Sequence, residues 1–493
     1  MKILLVYPEF PDTFWSFKHA LKFIQKKAGA PPLGLLTVAA MLPAEWEKRL
    51  ADLNVVNLTD KDLQWADYVF LSAMIVQRES VRSILKRCKS AGVKVVAGGP
   101  LFTMEYEQFP DVDHFVLNEA EETLAPFLHD LEQGQARRVY TSAEFPDIRH
   151  TPAPLWRLAD FRHYDTFSIQ FSRGCPFNCD FCNITSLLGH TPRTKTAAKI
   201  IAELDSLYAL GWRKNIFFVD DNFIGNKKYI KSEVLPALIE WRKGKTGMPF
   251  STEASINLAD DPALIELMVN AGFDTVFVGI ETPNEASLVE CSKNQNKGRD
   301  LVESVRVLQR AGLQVQGGFI VGFDNDSPSI FQQQIDFIQQ SGIVTAMVGL
   351  LQAPLGTRLY ERLQKEGRLV NDNISGDNVD GSTNIIPRMG IEPLREGYRK
   401  ILSQIYSPKF YYERVVTFLR EYQPPQITVP FERQHFLALW RSIYLLGIRG
   451  TERVQYWRLF FWTLFRRPRS FPLAITFAIY GFHFRQVVAL HVI

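Results

Sequence analysis

Cysteine is scarce in this sequence, with five residues in 493. That is too few for a disulfide framework and fits a chain kept in a reducing cytoplasm. Long apolar runs are also missing. No stretch reaches the roughly 18 apolar residues that a spanning helix needs, so no transmembrane helix is predicted. The nearest approach, Phe471 to Phe482, is flanked by Arg466, Arg467, Arg469, His483 and Arg485. The start, Met1-Lys2-Ile3-Leu4-Leu5-Val6-Tyr7, breaks at Pro8 and Pro11. It is too short for a signal peptide and predicts a first buried strand. Internal repeats and low-complexity segments are absent. So is any convincing Ser/His/Asp or paired-carboxylate constellation, which leaves no side-chain machinery for acid–base or nucleophilic catalysis.

The formal charge is only +3, and no nucleic-acid partner is expected. Its distribution is uneven. From Lys409 onward, twelve Lys and Arg stand against four Glu, a surplus of eight, so the rest of the chain is slightly acidic.

Three of the cysteines are close together, in Ser172-Arg173-Gly174-Cys175-Pro176-Phe177-Asn178-Cys179-Asp180-Phe181-Cys182. Such spacing lets one tight loop aim Cys175, Cys179 and Cys182 at a common point. Three thiolates can hold a four-iron cluster and leave one iron open to a ligand. The competing reading is a structural zinc site with His190 as fourth ligand. Zinc sites usually pair two ligand sets, and no second Cys-x-x-Cys exists here. Cys88 and Cys291 fall in helix-like segments and read as buried, inert thiols.

Residues 1–135 alternate strand and helix. Strands are expected at Ile3–Tyr7, Leu53–Val56, Tyr68–Ala73, Val93–Ala97 and His114–Leu117, with helices at Leu33–Leu42, Glu79–Lys89 and Glu121–Leu131. The pattern predicts a parallel, Rossmann-like sheet covered on both faces, with ligands at the carboxyl ends of its strands. Those ends carry Tyr7-Pro8-Glu9-Phe10, Ser72-Ala73-Met74, Gly98-Gly99-Pro100 and Asn118-Glu119-Ala120-Glu121, and Pro31-Pro32-Leu33-Gly34-Leu35 opens a helix. Each is also ordinary turn chemistry.

Residues 136–165 read as a proline-stiffened linker. Residues 166–365 alternate again, with strands expected at Phe167–Phe171, Asn215–Val219, Phe250–Ile256, Thr275–Gly279, Val315–Val321 and Thr345–Leu350. Six parallel units predict a partial α/β barrel. Its second strand ends in Phe218-Val219-Asp220-Asp221-Asn222-Phe223, where carboxylates suit either a bound cation or a helix cap. Alternation places Ser251, Glu253, Ser255 and Asn257 on one strand face. Gly279 and Glu281 end the fourth strand and Gly318 lies in the fifth, where glycine serves close ligand approach or packing at a bend. Arg193 and Lys195 follow the cysteine loop, to compensate negative charge or to start a helix. Residues 366–493 predict a mostly helical domain. In it Phe436–Leu446, Tyr456–Phe465 and Phe471–Phe482 are apolar, aromatic and interrupted by arginine. They read as packing stripes or as a surface resting on anionic lipid.

With the cysteine loop, the Asp220–Asn226 segment, Gly279–Pro283, Pro31–Leu35, Gly98–Pro100 and the Arg-rich tail, the chain resembles the cobalamin-dependent radical SAM enzymes. Within them it is most similar to the group with the C-terminal domain of the hopanoid C-2 methylase. The resemblance implies three cofactors: a [4Fe-4S] cluster on Cys175, Cys179 and Cys182, S-adenosyl-L-methionine and cobalamin. S-adenosylmethionine would contact Asp220, Asp221, Glu253, Ser255, Gly279, Glu281 and Gly318. Cobalamin would contact Pro32, Gly34, Ser72, Met74, Gly98, Gly99 and Glu119. The Asp-x-His-x-x-Gly signature of histidine-ligated cobalamin is missing, since His19 lacks its Asp and Gly. That implies the subgroup without a protein histidine on cobalt.

The implied reaction is methylation of an unactivated carbon on a hydrophobic substrate, such as a hopanoid-type lipid. A reductant such as flavodoxin or ferredoxin would supply the electron, in the cytoplasm or at the inner membrane face. A radical cyclase or rearrangement enzyme, or a non-enzymatic sensor, would use the same motifs. Transfer RNA methylthiolation needs a second three-cysteine cluster, which this chain lacks.

Overall fold

The computed structural model describes residues 1–371, 374–377, 379–425 and 433–491. Six strands, β1 Lys2–Tyr7, β2 Glu47–Asp52, β3 Tyr68–Ser72, β4 Lys94–Gly98, β5 His114–Val116 and β6 Val139–Tyr140, form one parallel sheet. Its order is β2-β1-β3-β4-β5-β6. Strand β1 explains why the sheet is buried on both sides. Ile3 and Leu5 enter one apolar layer, while Leu4 and Val6 enter the other. The chain leaves β1 first to one side and then to the other. Such a reversal opens a crevice beyond the carboxyl ends of β1 and β3.

The second strand departs from expectation. It is Glu47–Asp52, and Leu53–Val56 is a turn. An edge strand carries charge on its exposed positions, here Glu47 and Arg49, so a search for apolar runs passes over it. The segment expected as a linker contributes β6, which hydrogen-bonds to β5.

A second parallel sheet begins with β7 Thr166–Ile169, followed by a short antiparallel ribbon of β8 Ser172–Arg173 and β9 Arg193–Thr194. It continues through β10 Asn215–Phe218, β11 Phe250–Glu253, β12 Phe273–Glu281, β13 Gln314–Val321 and β14 Ala346–Leu350. The order β7-β10-β11-β12-β13-β14 follows the chain, as in an open α/β barrel. Strand β11 stops at Glu253, so its polar face holds Ser251 and Glu253 only. Ser255 precedes, and Asn257 lies within, the turn Ile256–Asp260.

The C-terminal part is helical: Ile391–Ile405, Pro408–Glu421, Arg433–Ser442, Arg453–Arg466 and Phe471–His491. Its core is continuous with that of the barrel, through Tyr398, Ile401, Tyr411, Phe418 and Phe477. Arg414 is completely buried. Its guanidinium donates to Ile405 O at 2.9 Å and to Gln339 Oε1 at 2.5 Å, which ties the tail to the barrel.

The last helix runs on through His483 and Arg485, beyond the interruption expected there. Pro468–Leu490 is long and apolar enough to cross a membrane, and 56% of its most apolar 18-residue stretch is buried within the protein. His483 bonds Phe14 O at 3.0 Å, and Arg485 pairs with Glu452 at 2.5 Å. These polar residues have partners inside the protein, so the segment packs as a core helix.

Candidate active site

The cysteine loop leaves β7 at the barrel mouth. Asp220, at the end of β10, holds its start: the carboxylate accepts from Phe171 N at 3.2 Å, from Ser172 Oγ at 2.6 Å and from Ser172 N. Gly174 lies at φ 91°, and a Cβ there would meet Gly189 O at 2.8 Å and Leu188 O at 2.9 Å. Only glycine lets the loop fold back this closely. The loop is pinned again by Asp180 N–H donating to Cys291 O at 3.0 Å. Cys175, Cys179 and Cys182 are partly exposed, whereas Cys88 and Cys291 are buried.

Burial pushes the Cys182 thiol up to about 12 and also raises Cys175, with the other loop cysteines adding to the effect. A bound cation is what would drive such thiols to thiolate. His190 is exposed at the loop's end. Among the described residues, no three His, Cys, Asp or Glu side chains are grouped for a single metal ion. Zinc would need its thiolates about 2.3 Å from one centre, whereas a four-iron cluster places each on a different iron.

Carboxylates crowd the same end of the barrel. Burial, with Asp221 and Asp220 nearby, pushes Glu253 up to about 8. Burial also pushes Asp221 up to about 6, and its Oδ2 is buried with no hydrogen-bond partner. Asp221 is not a cap, because the following turn starts at Phe223 behind Asn222.

A carboxyl raised by folding still holds its proton where the unfolded chain has lost it. Stability of the cofactor-free protein should therefore fall as pH climbs from the ordinary 4.5 towards about 8. Glu253→Gln should lose less Tm than wild type between about pH 6 and pH 8.5 in thermal denaturation. Equal losses would show that Glu253 does not titrate there.

The other expected S-adenosylmethionine residues have partners within the protein. Ser255 Oγ donates to Asn257 Oδ1 at 2.6 Å, and Ser255 N–H donates to Asn222 Oδ1 at 3.1 Å. Buried Glu281 pairs with Lys293 at 2.6 Å. Gly279 makes room for that pair, since a Cβ there would sit 2.8 Å from Lys293 Nζ. Gly318 backs onto the ring of Phe277, also at 2.8 Å. This is the packing account of that glycine.

A cavity of about 1000 Å³ lies between the sheet and the barrel mouth. Pro32, Gly34, Ser72, Met74, Gly98, Gly99 and Glu119 all line it on the sheet side. On the barrel side stand Arg173, Ile184, Leu187, Leu188, Phe217 and Asp221. Asp221 is the one carboxylate from the expected S-adenosylmethionine set that reaches it; Asp220, Glu253, Ser255, Gly279, Glu281 and Gly318 lie off the lining. Histidine is absent from the lining among the described residues. His19 lies instead 3.4 Å from Asp12, with its ring centroid 5.6 Å from that of His483.

Three charged residues singled out in the sequence have partners within the protein. Glu119 is spent on protein contacts, pairing with Arg173 at 2.5 Å and Arg193 at 2.7 Å. Arg193 is thereby neutralised, and Lys195 pairs with buried Glu203 at 2.5 Å. Neither is a free counter-charge for a cluster. The Glu119–Arg173–Glu121 network instead clamps the fifth strand end of the sheet onto the cysteine loop.

Several residues at the site carried no sequence signal. Lys293 is half-buried, with its charge held by Glu281 and favoured further by Cys179 and Cys182. Gln295 Nε2 reaches Cys179 Sγ at 3.7 Å. Trp15 lines the cavity from the segment after β1, and Gly376 and Asp377 line it from beyond the barrel. None sits in a periodic or punctuated pattern, so only the fold brings them in.

A three-thiol loop at the mouth of a partial barrel, facing a Rossmann-like sheet across one cavity, defines a cobalamin-dependent radical SAM enzyme. Comparison with known proteins agrees. Residues 27–128 match the B12 binding domain, 169–338 the radical SAM superfamily and 357–492 a domain of unknown function (DUF4070). The chain is 39% identical to an uncharacterized methyltransferase of Synechocystis sp., over 99% of its own length and 92% of the relative's. It is 35% identical to the hopanoid C-2 methylase of Rhodopseudomonas palustris, over 93% of its length and 88% of the relative's.

Among solved structures it shares the fold of the radical enzyme OxsB with aqua-cobalamin and S-adenosylmethionine bound. The TM-score is 0.62 at 14% identity, over 99% of this chain and 79% of that one. It also shares the fold of TsrM from Kitasatospora setae with cobalamin and a [4Fe-4S] cluster bound, at TM-score 0.60 and 14% identity over 99% of both chains. The chain belongs to the cobalamin-binding radical SAM methyltransferases.

Its cofactors are accordingly a [4Fe-4S] cluster, S-adenosylmethionine and cobalamin. The residues present fit them. Three partly exposed thiols on one short loop suit the cluster, and the orphaned Asp221 oxygen beside a raised Glu253 suits a cationic ligand. A cavity floored by Gly34, where a Cβ would meet nothing within 4 Å, suits a large flat ring.

Proposed function

We propose that this enzyme methylates an unactivated carbon of an apolar, lipid-like substrate, of which a hopanoid-type lipid is an example. The observation that carries the reading is the single cavity shared by the strand ends of the sheet and the loop of the barrel. Two cofactors on its opposite walls would face one substrate between them. When bound, the cluster and S-adenosylmethionine supply a radical able to remove hydrogen from carbon, and cobalamin supplies the methyl group.

The protein's own residues bind, orient and exclude. Cys175, Cys179 and Cys182 hold the cluster. Asp221 and Glu253 receive the ammonium of S-adenosylmethionine, while Asp220, Gly279, Glu281 and Gly318 shape the strand ends around it. Pro32, Gly34, Ser72, Met74, Gly98 and Gly99 cradle the cobalamin ring. Phe14, Trp15, Leu187 and Leu188 keep water from the reacting carbon.

Relatives named as methyltransferases or methylases favour methyl transfer over cyclisation or rearrangement. Mass spectrometry of lipids and pigments from cells with and without the protein tests the reading. One compound class should shift by one methyl group. An unchanged lipid and pigment profile would overturn it.

The tail supports an apolar substrate drawn from a membrane, on its cytoplasmic face. Trp440, Tyr444, Ile448, Phe461 and Phe465 are exposed at 57%, 49%, 57%, 49% and 77%. Arg449, Arg453, Arg458 and Arg466 are exposed among them. Aromatic rings at the lipid interface with arginines beside them are the chemistry of an anionic bilayer contact. Sedimentation with vesicles should show binding that needs anionic lipid and weakens in high salt. Binding indifferent to both would remove the electrostatic part, and no binding would leave the tail as packing alone.

A further inference from the structure

The second sheet is open, with β7 and β14 at its opposite edges, so the barrel has a gap between its first and last strands. Register shows which side chains face inward. Ser168 and Phe217 are paired on β7 and β10, and both line the cavity. Partners in a parallel ladder share a face. The ladder runs on from Phe217 through Ser251 to Thr275, and Phe277 and Gly279 follow on that face of β12. Gly279 pairs with Gly318, which pairs with Met347 on β14. Phe277 and Met347 therefore face the interior of the barrel.

The segment after β1 fills the gap. On one side Thr166 N–H, at the start of β7, donates to Gly29 O at 2.8 Å. On the other, Phe14 packs against Tyr406, whose hydroxyl donates to Ala346 O of β14 at 2.6 Å. Between them Trp15 reaches inside. Its ring meets that of Phe277 edge-on at 5.5 Å, and its Nε1–H donates to Met347 Sδ at 2.9 Å. Met347 is the second residue of β14, and Phe277 lies four residues before the end of β12, so the indole sits below the barrel mouth. It lines the cavity and is 36% exposed even so.

The last helix holds this segment from behind. Phe14 stacks on Phe484 with centroids 4.3 Å apart, and His483 Nε2 bonds Phe14 O. Phe17 packs against Tyr480 and His483. Its φ of 48° is left-handed, which is rare for a bulky residue and persists only where the surroundings fix it.

We infer that Trp15 is the inner wall against which the substrate rests, that it selects the substrate by size, and that the last helix positions it. This rests on the methylation reading above. The indole N–H is spent on Met347, so the surface turned to the cavity offers no hydrogen bond. The part of the substrate that reaches it is hydrocarbon, an apolar ring system whose polar groups lie elsewhere.

The test gives the cofactor-loaded enzyme, under anaerobic conditions with S-adenosylmethionine and dithionite, a total lipid and pigment extract from cells lacking the protein. Mass spectrometry reads 5′-deoxyadenosine and methylated products. Trp15→Ala should raise the 5′-deoxyadenosine formed per methyl transferred about tenfold, because a loosely held carbon is misplaced. It should also add methylated products larger than any the wild type makes. Trp15→Phe should stay within about threefold of wild type. His483→Leu should shift the ratio in the same direction as Trp15→Ala, with iron and cobalamin content unchanged. Trp65→Phe, outside the cavity, should alter neither ratio nor products. Trp15→Leu, a smaller change, keeps the test open should Trp15→Ala lose iron or cobalamin. An unchanged ratio and product set in Trp15→Ala and Trp15→Leu would overturn the role of Trp15, and an unchanged ratio in His483→Leu that of the helix. Wild type that forms 5′-deoxyadenosine but methylates nothing in the extract would overturn the methylation reading instead.

Discussion

Cys175→Ala should yield a folded protein that forms no detectable 5′-deoxyadenosine. Cys175 is only partly buried and its sulfur accepts one backbone hydrogen bond within the loop, from Phe177, so removing it costs the fold little. The cluster has no such tolerance. Its three protein ligands come from one short loop, and His190 is exposed, so no described side chain stands ready to replace a missing thiolate. Anaerobic reconstitution of wild type should give about four irons and four sulfides per chain, and the variant far less. The expected loss in S-adenosylmethionine cleavage exceeds about a thousandfold, because reductive cleavage has no path without the open iron. Cys179→Ala and Cys182→Ala should behave alike. Full activity in any of the three, or zinc in place of iron, would sink this assignment of the loop.

Gly34→Phe should abolish cobalamin binding while leaving the cluster intact. Gly34 sits in the first turn of the helix Leu33–Met41 and lines the cavity. Nothing lies within 4 Å of a Cβ built there. A benzyl group would therefore point into open space that the ring is proposed to fill. Backbone strain is not an issue, and replacing a helical glycine recovers up to about 1 kcal/mol of helix propensity.

The cobalamin-free variant should thus melt no lower than wild type, while affinity drops about a hundredfold or more, equivalent to roughly 2.8 kcal/mol. Unimpaired binding would place the cofactor elsewhere. In the wild type, electron paramagnetic resonance of the Co(II) form should show no splitting from a protein imidazole, and His19→Ala should not alter it. An imidazole signal lost in that variant would overturn the absence of a histidine ligand.

Local chemistry was legible from the sequence where it resides in short segments. The Cys175–Cys182 spacing is covalent, so the three thiols belong to one short loop in any fold that makes it. Strand ends marked by Ser72-Ala73-Met74 and Gly98-Gly99 were readable because parallel sheets gather ligands at carboxyl ends, and those residues do line one cavity. Apolar runs located the longer buried strands, from β1 through β14, but not β2, whose edge position makes it polar, nor the two-residue strands β6, β8 and β9, too short to show a pattern. The tertiary structure decided the assignment of charge. Asp220 and Asp221 are adjacent in sequence, yet one is bonded to the backbone beyond β7 and the other reaches the cavity. Glu119, Arg193 and Lys195 look like free charges in the chain and are paired in the fold. Lys293 reaches the thiols from more than a hundred positions away. A charge acts through what lies within a few ångströms of it in a medium of low polarity, and that neighbourhood is set by packing, which no local pattern encodes.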